Sequence, residues 1–102
     1  MLDAFGWMWK HDRPGWSRGK WSTPLAGYPG FPDIVALKGQ RLLVRELKTE
    51  RGRTTELQEA WLEAWATVGA DVDIWRPSDL SSGRVERILR GSETGVARQR
   101  GE

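Results

Sequence analysis

Two short apolar runs, Ile34 to Leu37 and Leu42 to Leu47, flank the polar sequence Lys38-Gly39-Gln40-Arg41. As antiparallel strands with Gly39-Gln40 at the centre of the turn, they pair Lys38 with Arg41 and Leu37 with Leu42. Continuing outward, Asp33 falls opposite Glu46. The same pairing follows from a two-residue or a four-residue loop on that centre, and Gly39 at the first central position suits a type II′ turn. A one-residue slip would send Glu46 to the opposite face, and a bulge would offset the pair. The period of two places Val44, Glu46 and Lys48 on one face and Leu43, Arg45 and Leu47 on the other.

Downstream, Thr55 and Gln58 fit the Thr-x-x-Gln capping box that opens a helix. Leu57, Ala60, Trp61, Ala64 and Val68 follow at i, i+3, i+4, i+7 and i+11, which predicts one apolar stripe facing the sheet. Gly69 ends the helix. Asp71 to Trp75 reads as another strand, ended by Pro77, and Ser78 or Asp79 caps a terminal helix running to Arg90. Upstream the pattern is weaker. Trp7, Trp9 and His11 alternate with Met8 and Lys10, which allows a short strand there, followed by a loop from Asp12 to Gly30. Pro29, Gly30 and Pro32 force an extended lead into the first main strand, because a residue before proline is pushed out of the helical region.

The 102 residues suit a single domain. Its expected span is 1–90, with a Trp- and Gly-rich segment at 1–31 and a flexible polar tail at 91–102. The order of elements predicts an α/β fold with a small mixed sheet of three to four strands flanked by helices. No apolar run approaches the ~18 residues of a membrane span, and Met1-Leu2-Asp3 opens no signal peptide. The absence of cysteine removes disulfides, thiolate zinc sites and cysteine nucleophiles, and fits a cytoplasmic protein. A single histidine, His11, removes multi-histidine zinc sites.

The net charge is only +2. Even so, Lys38, Arg41, Arg45, Lys48, Arg51 and Arg53 crowd the two strands, with Glu46 and Glu50 the only acids among them. Such a cluster suits a polyanion, since lysine and arginine supply sequence-independent affinity for phosphate. The alternative is an ordinary solvated charged face. His11 and Arg13, interleaved with Trp7, Trp9, Trp16 and Trp21, are further candidates for nucleic-acid contact by stacking and phosphate binding. Tryptophan is more often an anchor of core and loops, and His11 more often only packs or hydrogen-bonds.

Carboxylates directly opposite one another on an antiparallel pair have Cβ atoms about 4.5–5.5 Å apart and repel. A divalent cation relieves that repulsion. Mg²⁺ takes one or two carboxylates at about 2.0–2.1 Å and keeps several waters. With Lys48 on the same face, two carboxylates and an ammonium converge. Read separately, Asp33 is an ordinary strand-lead aspartate, Gln58 a capping residue, and Glu46 with Lys48 a charged edge that deters aggregation.

Pro32-Asp33 followed by Glu46-Leu47-Lys48 resembles the PD-(D/E)xK nuclease signature. Gly30-Phe31-Pro32-Asp33, the helix bearing Gln58 and Trp61, and Trp75-Arg76-Pro77-Ser78-Asp79 are similar to the VRR-NUC branch, whose small stand-alone members occur in phages and bacteria. The likeness covers roughly residues 7–90. It implies a restriction endonuclease-like core and metal-dependent hydrolysis of DNA phosphodiesters in the cytoplasm of a bacterium or phage-infected host. Mg²⁺, replaceable by Mn²⁺, would be held by Asp33, Glu46 and the backbone carbonyl of Leu47. Lys48 would act on the attacking water and Gln58 would complete the catalytic set. It also implies a homodimer acting on branched DNA such as a four-way junction, with no membrane and no small-molecule cofactor. Members usually begin with a further helix whose glutamate completes the metal site. This chain starts too late to include it, so the expectation is a site with fewer protein ligands, a substitute in Asp3 or Asp12, or a true start upstream of Met1. The competing expectations are a non-catalytic nucleic-acid-binding module and a structural phage protein packed through its tryptophans.

Overall fold

The computed structural model describes residues 1–11 and 28–91 in full, and the backbone of 15–17 and 20–22. Its strands are β1 (Met8–His11), β2 (Gly15–Ser17), β3 (Lys20–Ser22), β4 (Ile34–Lys38), β5 (Arg41–Leu47) and β6 (Asp71–Trp75). Its helices are α1 (Glu56–Thr67), α2 (Pro77–Ser81) and α3 (Arg84–Arg90), and a 3₁₀ turn at Asp3–Phe5 precedes β1. Strands β1, β4, β5 and β6 form one mixed sheet in that order, so the fold is α/β with helices on a four-stranded sheet. Pairing is antiparallel from β1 to β5 and parallel between β5 and β6. A parallel neighbour needs a crossover, and α1 supplies it.

The central hairpin has the predicted register: Lys38 pairs with Arg41, Leu37 with Leu42, and Ile34 with Arg45. Gly39 adopts φ 58°, the left-handed backbone that primed hairpin turns require. Alternation along β5 feeds two cores. Val44 packs with Leu62 and Val72 beneath α1. Leu43 packs on the other face with Trp7, Ile34, Trp75, Val85, Ile88 and Leu89. The Trp7 indole also donates to the Leu89 carbonyl at 3.1 Å, tying the chain start to α3.

Three elements differ from the sequence expectation. The region read as a loop from Asp12 to Gly30 contains a second, two-stranded sheet, β2 antiparallel to β3 with Trp16 opposite Trp21. Arg13 and Asp12 lie outside the described residues, as does the expected tail beyond Gly91. The terminal helix is split, because Gly83 at φ 82° interrupts it between α2 and α3. At its start Asp79 is not the cap; its carboxylate accepts from the Arg76 N–H at 2.8 Å.

The third difference is the face that α1 buries. Leu57 and Val68 of the predicted stripe are exposed, and Leu62, Trp65 and Ala66 turn inward. The helix is rotated by one residue, about 100°, from the expected orientation. The reason lies at its first turn. Gln58 faces Glu46 across a 3.3 Å contact, and the residues below it on the same side are Leu62 and Trp65 at i+4 and i+7. Among the described residues no helix is long and apolar enough to cross a membrane.

Candidate active site

The chain reaches Asp33 through a lead fixed from two directions. The Trp61 indole donates to the carbonyls of Tyr28 and Pro29 at 3.2 and 3.0 Å, and Phe31 packs edge-on against the same ring at 4.9 Å. Gly30 lies directly on the first turn of α1. A Cβ on it would fall 2.7 Å from the Leu57 carbonyl carbon and 2.9 Å from the Gln58 nitrogen, and its φ of 93° disfavours any side chain. Residues 28–32 are thereby held against the end of α1 that carries Gln58.

Asp33 continues the register of β4 one step beyond Ile34, which sets it across from Glu46. One carboxylate oxygen accepts the Leu47 backbone N–H at 2.8 Å. Glu46 is 3% exposed. Its Oε2 receives the Gln58 amide at 3.3 Å and lies 3.7 Å from the Lys48 ammonium. Its Oε1 is buried with no hydrogen-bond partner among the described residues. Burial pushes the Glu46 carboxyl up to about 8, aided by the neighbouring Asp33 carboxylate, while Lys48 pulls the other way.

Gln58 serves two tasks at once. Its Oε1 accepts the Thr55 N–H at 2.9 Å and its backbone N–H donates to the Thr55 hydroxyl at 3.2 Å, closing the capping box. Its amide group remains free for Glu46.

A divalent cation fits this arrangement on three counts. Two carboxylates lie side by side, one carboxylate oxygen is buried and unpartnered, and the buried acid is costly to ionise without a compensating positive charge. Among the described residues no group of three or more acid, histidine or cysteine side chains converges. The donors such an ion would take are Asp33 and Glu46, with the Leu47 carbonyl as the expected third, a count Mg²⁺ accepts because it retains water. Asp3, one of the expected substitutes, accepts the Trp9 indole N–H at 2.8 Å.

The expected basic cluster does not hold together. Arg45 is 0% exposed and is no surface contact for DNA. Its guanidinium donates to the Asp71 carboxylate at 3.0 Å and to the Asp71 carbonyl at 2.6 Å, and stacks 5.0 Å from the Trp75 ring. Burial pulls its pKa down, against the raising effect of Asp71. Lys38 and Arg41 lie at the turn end of the hairpin, about 17 Å from Asp33 at ~3.3 Å per residue. There Lys38 donates to the Phe5 carbonyl at 2.6 Å, and Arg41 donates to the Ile88 carbonyl at 2.9 Å and stacks on Trp7. Arg51 and Arg53 are exposed in the segment following Lys48. His11 pairs with Ile34 at the same sheet end as Asp33.

Sequence reasoning gave no role to Arg76. Its Nη1 donates to the carbonyls of Thr49 and Gly52 at 2.6 and 2.7 Å, which fixes the turn after Lys48. Glu50 reaches back and accepts from the Ser78 hydroxyl at 2.9 Å and from its N–H. The signal was the Trp75-Arg76-Pro77-Ser78-Asp79 string, which entered only as part of a likeness. In comparisons with known proteins, no family model, no curated protein and no solved structure matches this chain.

Proposed function

We propose that this chain is a metal-dependent DNA endonuclease similar to the VRR-NUC branch of the PD-(D/E)xK nucleases. The observation that carries the reading is the buried Glu46, held beside Asp33 and in reach of both Lys48 and Gln58 at one end of the sheet. Asp33 and Glu46 would hold Mg²⁺ or Mn²⁺ with the Leu47 carbonyl. When bound, the ion would supply polarisation of the phosphoryl oxygen and stabilisation of the leaving 3′-oxygen.

The protein's own groups define the rest. Gln58 aims the Glu46 carboxylate by donating to one oxygen, which leaves the other for the cation. Lys48 orients the attacking water and offsets negative charge developing at phosphorus. Water adds to phosphorus, the bond to the 3′-oxygen breaks, and that oxygen takes up a proton. Arg51 and Arg53 are the exposed cations near the site and would track the phosphate backbone. A homodimer with two such sites on a two-fold axis would suit a symmetric four-way junction in the cytoplasm of a bacterium or infected host.

One observation favours a second reading, a DNA-binding module without turnover: no third acid joins Asp33 and Glu46 among the described residues. Cleavage of labelled duplex, single-stranded, flap and four-way-junction DNA with Mg²⁺, Mn²⁺ or EDTA separates the two. The nuclease reading expects metal-dependent products that disappear in Asp33→Ala and Lys48→Ala. Metal-independent binding with no product under either cation would establish the module instead.

A further inference from the structure

An apolar cavity of about 430 Å³ opens at the same end of the sheet as Asp33 and Glu46, on the opposite face, where Ile34, Leu47 and Trp75 lie, so a strand would reach it around the sheet end. Leu47 and Lys48 form part of its wall. Trp9, Trp75, Ile34 and Leu80 supply much of the remaining lining, and Arg76 and His11 join Lys48 as its nitrogen-bearing polar side chains. Its size lies within the roughly 300–1,000 Å³ of small-molecule pockets.

The composition selects the ligand. The Trp9 indole is 43% exposed and offers flat stacking surface, and its ring is held in place by a 2.8 Å bond to Asp3. Trp75 is 8% exposed and carries Arg45 against its ring, so it closes one wall of the cavity. Lys48 and Arg76 are cationic, and among the described residues no carboxylate lines the cavity. A flat, hydrogen-bonding ring joined to an anionic group matches these features. Lys48 belongs both to the cavity wall and to the ion pair with Glu46, which relates the anionic end to the carboxylate site. The position also agrees with the rule that ligands bind beyond the carboxyl ends of parallel strands, here β5 and β6.

We propose that this cavity receives one unpaired nucleobase of the DNA strand whose phosphate lies at Asp33 and Glu46. The proposal rests on the nuclease reading for the position of that phosphate. A paired, stacked base cannot enter, so the cavity favours substrates that already carry an unpaired nucleotide, where the cost of extruding a base is lowest. It thereby gives the site a physical basis for preferring bulged, flapped or branched DNA over continuous duplex.

The test uses two fluorescein-labelled duplexes that differ only in one extrahelical position, an unpaired adenine or an abasic residue. Binding is read by anisotropy in EDTA, so affinity is separated from cleavage. The full chain should bind the adenine duplex about tenfold more tightly, the size of a typical base–aromatic stacking contribution. Leu80 lines the cavity and is 56% exposed, so Leu80→Trp fills part of the cavity from a position that tolerates change. With the fold checked by circular dichroism, this variant should bring the affinity ratio to about one. Equal affinities in the wild type, or an undiminished ratio in Leu80→Trp, would overturn the proposal. Mn²⁺-dependent cleavage without base preference would remove the cavity's role and leave the nuclease reading standing. Base preference without cleavage would keep the cavity and remove the nuclease.

Discussion

Replacing Glu46 with glutamine exposes the cost of burying this acid. In the folded, metal-free protein its carboxyl titrates at about 8 instead of the ordinary 4.5, chiefly through burial. Between those values the folded state holds one proton more than the unfolded state, so stability falls as pH rises. Each unit corresponds to about 1.4 kcal/mol at full effect. From pH 5 to 7.5 the wild type should therefore lose about 3 kcal/mol relative to Glu46→Gln, which does not titrate and imitates the protonated form. The difference should level off above pH 8, where Glu46 is ionised in both states. Urea denaturation of the two proteins in EDTA at half-unit pH steps gives the curve. Parallel stabilities from pH 5 to 8, within about 0.5 kcal/mol, would refute a desolvated Glu46.

Gly30→Ala should destabilise the fold by about 2–4 kcal/mol, because the added Cβ meets the α1 backbone and not a movable side chain; thermal unfolding checks this. Arg45→Ala should cost about 2–4 kcal/mol by removing the buried Arg45–Asp71 ion pair and the cation stacked on Trp75, a loss seen in urea midpoints and not confined to DNA affinity. Arg51→Ala and Arg53→Ala should leave unfolding within about 0.5 kcal/mol of wild type. Each should reduce the slope of log affinity against log salt by about one in a DNA titration, while Lys38→Ala at the far end of the hairpin should leave that slope unchanged.

The parts of the structure that local chemistry determines were legible in the sequence. The turn centre at Gly39-Gln40 sets the β4–β5 register, and Thr55 with Gln58 sets the start of α1, so the proximity of Asp33, Glu46, Lys48 and Gln58 follows from short-range rules. Arg45 was misjudged because its partners, Asp71 and Trp75, arrive only with β6. Alternation placed it correctly opposite Glu46, yet nothing nearby in the chain says that this face is sealed. The face of α1 had a readable clue that went unused: a Gln58 turned towards Glu46 forces Leu62 and Trp65 inward and leaves Leu57 and Val68 outside. Arg76 acts across a gap of more than twenty residues on the turn after Lys48, which no periodicity reveals.

The nuclease reading requires Asp33 and Glu46 to bind one divalent cation between them. Isothermal titration of Mn²⁺ at pH 7, in two buffers of different ionisation enthalpy, tests it most directly. Below the Glu46 pKa of about 8, binding must displace its proton. A saturable site with close to one proton released per bound ion is expected, lost in Asp33→Ala and losing its proton release in Glu46→Gln. No saturable binding, or binding of the same strength and buffer independence in wild type and Glu46→Gln, would contradict it.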